Sequence, residues 1–286
     1  MTNAGKFSYD AIPVPAELDA VIDGAVRRYS REKGGRSFRK WAATAAAVLA
    51  VLFGCANIAP IYAAAENIPV IGTVVKVFHI GTGGEVTDGA GIIGSAQGQT
   101  VSISFTADAQ AASTAPVYTA EHYLAPNRLA LTFSGVRELD FDDVKASLRA
   151  AEGVKDVYSS FIGDDSMFGF VIVLQSGYDY EITELKDPAS LSLRIFKSAD
   201  YKADKTVYYL RTNAVEYGEE LGMLAEEFYE FNPAQLKTQS GGYIVTVGQY
   251  DTRQEAEKAL ADIRSALGGG SNLYAAQATS DDIPRN

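Results

Sequence analysis

The chain has 286 residues, with 25 Lys and Arg against 36 Asp and Glu, and its net charge at pH 7 is −11. This acidic balance argues against nucleic acid as a partner, because surfaces that bind nucleic acid are basic. The single cysteine, Cys55, excludes an intramolecular disulfide and a cysteine-based metal site. The only histidines, His79 and His122, lie far apart in sequence with no carboxylate at metal-ligand spacing, so we expect neither a zinc centre nor another cofactor.

The first forty residues form a basic segment in which one amphipathic helix is predicted after Pro13 and Pro15. Apolar side chains recur there at three- and four-residue steps. The stripe consists of Leu18, Val21, Ile22 and Val26. A helix of about three turns is marginal alone in water, so we expect something to cover it. Two interpretations remain open, docking of a protein partner and adsorption of the Arg-rich helix to anionic lipid.

Residues 41–65 contain no charged side chain and follow a cluster of Lys and Arg. A transmembrane helix needs about 20 mostly apolar residues to cross a hydrocarbon core about 30 Å thick. The segment therefore predicts a transmembrane helix over residues 41–63. Because cytoplasmic flanks carry the excess of Lys and Arg, residues 1–40 are expected in the cytoplasm and everything after the helix outside the cell membrane. The sequence thus predicts a single-pass protein of the cell membrane, in contact with the lipid bilayer.

Two other interpretations of this segment involve processing. Trp41–Phe53 has the length of a signal-peptide core, and Ala63-Ala64-Ala65 looks like a signal-peptidase site. Leu52-Phe53-Gly54-Cys55 faintly resembles the modification site of a lipoprotein. The forty-residue leader argues against cleavage, and Phe53 is bulkier than a lipoprotein site usually accepts. We therefore favour an uncleaved anchor.

The segment expected outside the membrane is also the acidic part of the chain. Residues 1–40 carry eight Lys and Arg against five Asp and Glu, a net charge of +3, so the remainder carries −14. Such a surface is a poor partner for anionic lipid or nucleic acid.

Stretches on both sides of the predicted span carry a family resemblance. They read Tyr9-Asp10-Ala11-Ile12-Pro13-Val14-Pro15-Ala16-Glu17-Leu18-Asp19 before it, and Asn57-Ile58-Ala59-Pro60-Ile61-Tyr62-Ala63 and Ile68-Pro69-Val70-Ile71-Gly72-Thr73-Val74-Val75-Lys76-Val77-Phe78 at its end and after it. Residues 9–80 resemble a group of uncharacterised bacterial single-pass proteins that are often associated with extracytoplasmic-function sigma factors and look like anti-sigma factors. The resemblance implies that the cytoplasmic tail binds a sigma factor.

Residues 64–99 are interpreted as a juxtamembrane linker, because residues 81–100 contain seven glycines. Gly89-Ala90-Gly91-Ile92-Ile93-Gly94 matches the dinucleotide pattern G-x-G-x-x-G. That pattern indicates nucleotide binding only between a strand and a helix, with an acidic residue about 20 positions later. None of these features is evident, so nucleotide binding is not expected.

Residues 100–198 are expected to form a mixed α+β domain. Strands are predicted over residues 101–105, 117–124, 128–133, 154–162, 168–175, 178–183 and 191–196, and a helix over 141–151. Asp164-Asp165-Ser166 looks like an acidic pair, but Asp and Ser at such a position usually stabilise a turn. No second carboxylate is placed by sequence to complete a general acid and base.

Residues 205–279 show the alternation of a ferredoxin-like domain. Strands are predicted over 206–211, 234–239, 243–247 and 273–278, with helices over 216–229 and from Asp251 or Thr252 to Gly268. Gln254 and Glu255 stand three residues after Asp251 and Thr252, which is capping-box spacing. The order βαββαβ predicts one sheet with both helices on one face and the other face free.

The strand and helix in the middle of this domain carry a second resemblance. Tyr243-Ile244-Val245-Thr246-Val247-Gly248-Gln249-Tyr250, followed by Arg253, Glu255-Ala256-Glu257 and Ala259-Leu260, resembles the SPOR (sporulation-related) domain. The resemblance implies binding of peptidoglycan glycan strands across the bare face of the sheet. If Val245 and Val247 face the helices, alternation places Ile244 and Thr246 on that face. The candidate glycan-binding residues are Tyr209, Ile244, Thr246, Gln249 and Tyr250.

The sequence as a whole predicts an α+β protein with one transmembrane helix, a mixed α+β extracytoplasmic domain and a C-terminal ferredoxin-like βαββαβ domain. The expected function is non-enzymatic binding of peptidoglycan glycan strands in the cell envelope, in division or sporulation. The alternative is a transmembrane regulator, similar to an anti-sigma factor, that senses the state of the envelope. A hydrolase in residues 100–197 is a third hypothesis, although no nucleophile and base, metal cluster or phosphate loop is readable there.

Overall fold

A computed structural model describes residues 73–286, which belong to one compact unit, Pro69–Asn286. The predicted docking stripe of the tail (Leu18, Val21, Ile22 and Val26) and the predicted span over 41–63 lie outside the described residues. Among residues 73–286, no helix combines the length and the apolar composition that a membrane crossing requires.

The expected α+β fold class is wrong for the part of the chain that the structure describes. Strands hold 48% of these residues and helices only 16%. One reason is the glycine-rich stretch that we interpreted as a linker, because it forms strands of the two largest sheets. Three α-helices accompany these strands, with nine, nine and fourteen residues.

The elements of residues 73–286 follow one another in a strand-rich order. They are β1 (Thr73–Phe78), β2 (Gly81–Gly83), β3 (Ala90–Gln97), β4 (Thr100–Ala107), β5 (Gln110–Ala111), β6 (Tyr118–Tyr123), β7 (Arg128–Ser134), β8 (Val136–Glu138), α1 (Phe141–Arg149), β9 (Val154–Ser160), β10 (Met167–Leu174), β11 (Tyr178–Lys186), β12 (Ser190–Lys197), β13 (Thr206–Arg211), α2 (Glu219–Glu227), a 3₁₀ turn (Tyr229–Phe231), β14 (Pro233–Lys237), β15 (Tyr243–Tyr250), α3 (Arg253–Ala266) and β16 (Tyr274–Thr279).

Two sheets form a sandwich over residues 73–197. The seven-stranded sheet has the order β1-β11-β12-β4-β3-β8, with β5 beside β4, and the five-stranded sheet has the order β2-β6-β7-β10-β9. Alternate residues of each strand point inward, as the period of two requires. The resulting core includes Ile103, Phe105, Phe133, Phe170 and Leu193, which are at most 1% exposed.

Helix α1 closes the sandwich and explains one of its glycines. Asp140 caps the helix by accepting hydrogen bonds from the backbone N–H groups of Asp142 and Asp143 at 3.1 and 3.2 Å. The helix buries Val144 against β3. A Cβ atom at Gly94 of β3 would lie 3.1 Å from Val144 Cγ1, so any other residue would push the helix back by a few tenths of an ångström.

The third sheet belongs to a C-terminal lobe, residues 206–286. Its order is β14-β15-β13-β16, with all neighbours antiparallel, and helices α2 and α3 pack on one face. Helix α3 begins with a capping box, in which Thr252 accepts from the Glu255 N–H and the Glu255 side chain accepts from the Thr252 N–H. Val245 and Val247 lie in the core beneath the helices.

The lobe and the sandwich share apolar cores. Tyr158, Val171 and Val173, on the outer face of the five-stranded sheet, belong to the same buried cluster as the lobe residues Tyr243 and Val245. A further cluster joins Ala125, from the loop after β6, to the opposite face of the lobe's sheet. These shared clusters explain why the sandwich and the lobe form one compact unit.

Candidate functional site

The sheet face that we predicted to be open is buried. Ile244 is 0% exposed, Tyr209 4% and Thr246 5%. Leu124 and Ala125 pack in one cluster with Tyr209 and Ile244, and the Thr246 hydroxyl donates to the backbone oxygen of Ala234. The alternation that placed these residues opposite the helices is correct, but the conclusion that the face is free is wrong because another part of the chain covers it.

The C-terminal tail is fixed beside the covered face. The N–H of Ala125 donates to Ser280 O at 2.9 Å, and the N–H of Gln239 donates to Pro284 O at 3.0 Å. The buried Arg211 donates from Nη1 to Arg285 O at 2.9 Å. Three separate segments therefore hold the tail through its backbone.

The other two predicted glycan-binding residues lie at the surface. Gln249 is exposed and Tyr250 half-buried at the end of β15, just after Gly248, whose φ of +66° favours glycine. They line a groove of about 460 Å³, which we name the Tyr250 groove. Its other lining residues are Asp251, Glu255, Lys258, Ala259 and Asp262. Three carboxylates and an ammonium group around one aromatic ring can bind sugar hydroxyls while the ring contacts a sugar face, whereas the Gln249 amide already bonds the backbone of Leu124 and His122.

Between the sandwich and the lobe lies a second polar cleft of about 330 Å³, which we name the inter-lobe cleft. Its lining residues are Pro126, Asp156, Tyr158, Val173, Lys237, Thr238, Gln239, Ser240, Gly241 and Ile283. Strand register explains part of this set, because Val173 pairs with Arg128 on one side and with Asp156 on the other. The three side chains therefore form one row on the outer face of the five-stranded sheet.

Arg128, at one end of that row, is a buried cation. It is 2% exposed, donates from Nη1 to the carbonyl oxygens of Leu124 and Pro126 at 2.9 and 3.1 Å, and lies over the Tyr123 ring at 4.9 Å. Its Nε has no hydrogen-bond partner, and among residues 73–286 no Asp or Glu forms an ion pair with it. Burial lowers the pKa of the Arg128 guanidinium, yet arginine stays protonated in proteins.

The two histidines, distant in sequence, come together at the edge of the sandwich. Their ring centroids are 4.9 Å apart, and the His79 ring stacks on Tyr180 at 4.2 Å. His79 Nε2 lies 3.0 Å from Asp179 Oδ1, and His122 Nε2 lies 2.7 Å from Asn127 Oδ1. Burial lowers the pKa of His122. Among the described residues no cluster of His, Cys, Asp and Glu could hold a metal ion.

A buried ionic cluster links the two sheets of the sandwich near β2. The Tyr118 hydroxyl donates to Glu184 Oε2 at 2.5 Å, and Lys76 Nζ lies 3.3 Å from the same oxygen and also donates to Thr82 O. All three polar atoms lie within 2.7 Å of the position that a Cβ of Gly83 would occupy. Because these groups satisfy one another, we interpret the cluster as a structural link.

The outer side of the lobe exposes apolar side chains among acids. Met223 is 64% exposed and Tyr229 79%. A groove of about 540 Å³, which we name the acidic groove, lies at the end of α2. Its lining residues are Glu226, Glu227, Tyr229, Glu230, Phe231 and Leu267.

Comparison with known proteins gives no match. No protein-family model, curated protein or solved structure shows significant similarity to this chain. The two resemblances therefore depend on the quoted residues alone.

Arg128, Tyr158 and the two histidines were not among the sites predicted from sequence. In the sequence, an Arg at the start of an apolar strand looks like an exposed residue at the strand end. Tyr158 fits the alternation of a core strand, so neither residue stands out. Two histidines 43 positions apart give no local pattern. The register of β7, β10 and β9 brings Arg128 and Tyr158 together, and the pairings of β1 with β11 and of β6 with β7 position the two histidines.

Proposed function

We propose that the chain is a non-enzymatic, single-pass bacterial membrane protein whose exported part binds peptidoglycan glycan strands. The Tyr250 groove carries the proposal, because it joins the two solvent-accessible candidate residues to a ring of hydrogen-bonding side chains. The resemblance of residues 243–260 to the SPOR domain supports the same ligand class. The uncharged stretch 41–65 and its basic flank support the anchor.

Binding in this groove differs from the mode that the sequence suggested. A glycan cannot lie across Ile244 and Thr246, because both are buried within the unit. It can lie along the edge of the lobe where β15 meets α3, with the half-buried Tyr250 as the aromatic platform. Neutral sugar hydroxyls can donate hydrogen bonds to Asp251, Glu255 and Asp262. The acidic charge of the lobe therefore does not oppose binding of a neutral sugar.

The experiment is sedimentation of the full chain, in detergent, with purified sacculi. We expect the wild type to pellet with sacculi and Tyr250→Leu, which keeps apolar bulk but removes the ring, to bind about tenfold more weakly. Tyr229→Leu changes an exposed tyrosine of the acidic groove and is the matched control, expected to bind like the wild type. A folded wild type that stays in the supernatant contradicts the proposal.

A second candidate function is a transmembrane regulator similar to an anti-sigma factor. The exposed Met223 and Tyr229 favour it, since exposed apolar side chains are typical of protein-binding sites. In this function the tail residues Leu18, Val21, Ile22 and Val26 would bind a sigma factor. Recovery of a sigma factor with residues 1–40, and its loss with Leu18→Glu and Ile22→Glu, would support this function.

A further inference from the structure

The Tyr250 groove continues along helix α3 into a second hollow of about 280 Å³. Tyr250, Ala259 and Asp262 line both, so the two adjoin. The second hollow extends past Asp262 to Ile263 and reaches Phe231 of the 3₁₀ turn. We name the two together the α3 groove. The residues that α3 contributes run from 255 to 263, a rise of about 12 Å, so the groove is longer than a single sugar ring.

Two aromatic rings lie along the α3 groove. Tyr250 lies at the boundary between its two parts, where the tyrosine hydroxyl lies over Gly248. Phe231 is half-buried at the far end. An aromatic face can stack on a sugar ring, and its quadrupole also attracts an ammonium group. The rings therefore suit both neutral and cationic sugars, and the surrounding charges distinguish between the two.

The charges of the α3 groove favour a cationic ligand. Its lining contains the carboxylates of Asp251, Glu255 and Asp262, against a single ammonium group, that of Lys258. Lys205 pairs with Asp251 at 3.1 Å, and Glu255 belongs to the capping box of α3. Asp262 forms no ion pair with any Lys or Arg of residues 73–286. An exposed carboxylate beside an aromatic ring is thus left for a cation.

The neighbouring acidic groove adds to this negative potential. It begins at Phe231, which it shares with the α3 groove, and contains Glu226, Glu227 and Glu230. These acids lie at or just after the C-terminal end of α2, where the helix dipole is also negative and the last turn has no basic residue. None of the three forms an ion pair within residues 73–286. A cation in the α3 groove would therefore be attracted by more carboxylates than those it touches.

We propose that the α3 groove prefers glycan strands whose amino sugars have lost their acetyl groups. Hydrolysis of the acetamide by water releases acetate and leaves a primary amine, which takes up a proton. Such a strand keeps its rings and hydroxyls and gains one ammonium group for each deacetylated sugar. Asp262 would bind an ammonium group while Tyr250 contacts the ring. This inference rests on the proposed function for the polymer and adds the chemical class of its sugars.

Calorimetric titration of the full chain in detergent at pH 6.0 tests the preference with three probes. The tetramer of β-1,4-linked glucosamine carries an amine on each ring, the tetramer of N-acetylglucosamine has the same rings without charge, and tetralysine has charges without rings. We expect the glucosamine tetramer to bind roughly fivefold more tightly than either of the others. Equal affinity of the two sugar tetramers would overturn the proposal. Equal affinity of tetralysine would also overturn it, because the groove would then bind any polycation, a basic peptide included.

Salt separates the contribution of charge from that of the other contacts. Raising the salt from 0.15 to 1 M shortens the screening length from about 8 to about 3 Å. The advantage of the glucosamine tetramer over the N-acetylglucosamine tetramer should then largely disappear, because the carboxylates are exposed. An advantage that persists unchanged in 1 M salt would contradict recognition by these charges.

Asp262→Asn is the decisive variant, because Asp262 is exposed and Asn keeps the size of the side chain while removing its charge. We expect the advantage of the glucosamine tetramer to fall to about twofold. Asp108→Asn is the matched control. Asp108 is exposed in the turn between β4 and β5, and Asn tolerates its φ of +49°. If Asp262→Asn keeps the full advantage, or if Asp108→Asn loses as much of it, the role of Asp262 is overturned.

The outcomes separate this inference from the proposed function. Binding of sacculi and of the N-acetylglucosamine tetramer, without a preference for the glucosamine tetramer, would overturn the inference and leave wall binding standing. Preferential binding of the glucosamine tetramer without sedimentation on sacculi would support the inference about the groove and contradict the proposed function.

Discussion

The side-chain oxygen of Gln249 accepts a 2.7 Å hydrogen bond from the backbone N–H of Leu124. Gln249 belongs to the lobe and Leu124 to the loop after β6, so the bond joins the two parts beside the buried sheet face. The same loop places Ala125 against Ile244. A face that resembles a free binding surface in the sequence is therefore an internal contact of the unit formed by residues 69–286.

Ile244→Asp tests this burial in the unit formed by residues 69–286. The new carboxylate would be buried without a partner, so we expect a loss of about 4 kcal/mol or more in the free energy of unfolding. Ile93→Asp is the control, because Ile93 is 55% exposed and its replacement should cost less than about 1 kcal/mol. Urea denaturation followed by circular dichroism measures both. Comparable stability of Ile244→Asp and Ile93→Asp would show that the face is open.

Gly94→Val tests the packing of α1 on β3. The added side chain would collide with Val144, whose Cγ1 would be 3.1 Å from the new Cβ, so we expect a loss of about 1–3 kcal/mol. Gly163→Val is the matched control, since nothing lies within 4 Å of a Cβ there. Thermal unfolding of both variants measures the difference, and equal melting temperatures would argue against this helix position.

His122 predicts a pH dependence with a definite sign. Its pKa is lowered mainly by burial and also by the nearby His79 charge, against the hydrogen bond with Asn127, which raises it. The unfolded chain has a histidine pKa of about 6.5, so below that pH it binds more protons than the folded chain does. The free energy of unfolding should therefore fall as the pH drops from about 6.5 toward the folded pKa.

His122→Gln should remove this slope while keeping a polar group near Asn127. The measurement is urea denaturation of wild type and variant at pH 7.5, 6.0 and 5.0. Asp179 acts at lower pH, because the net effect of burial and of the His79 hydrogen bond is a lowered pKa. If wild type and His122→Gln lose stability equally between pH 7.5 and 5.0, His122 is not the group that titrates.

Local signals in the sequence located several elements well. Helix α3 begins at the predicted capping box of Thr252 and Glu255, and α1 begins at Phe141, as predicted, and ends at Arg149, within two residues of the predicted end. Both depend on contacts between residues three or four apart, which the sequence displays directly.

The glycine-rich stretch and the buried face were mispredicted because they depend on contacts between residues that are far apart in the chain. Gly94 lies in β3 because α1, nearly fifty residues later, needs space there, and composition cannot show this. Alternation in β15 correctly separates Ile244 from Val245, but it cannot reveal that Ala125 covers one side. Sequence patterns could not predict the features that depend on the packing of distant segments.

The proposed membrane anchor predicts a definite topology for the full chain. A tag after Met1 should resist protease in intact protoplasts, because residues 1–40 carry the Lys and Arg excess, and a tag after Asn286 should be digested. Lysis of the protoplasts is the control and should expose the first tag. The reverse pattern, or a mature N-terminus at Cys55 or Glu66, would contradict an uncleaved anchor.

Glycan binding is tested most directly by an equilibrium isotherm of the full chain, in detergent, with soluble glycan strands prepared by amidase digestion of sacculi. The wild type should bind saturably, and raising the salt from 0.15 to 1 M, roughly a threefold shorter screening length, should weaken binding only slightly, because hydrogen bonds to neutral sugar hydroxyls are screened little. As the SPOR resemblance implies, strands that retain their stem peptides should bind more weakly. A folded wild type that binds neither form of the glycan would contradict wall binding and favour the protein-docking regulator.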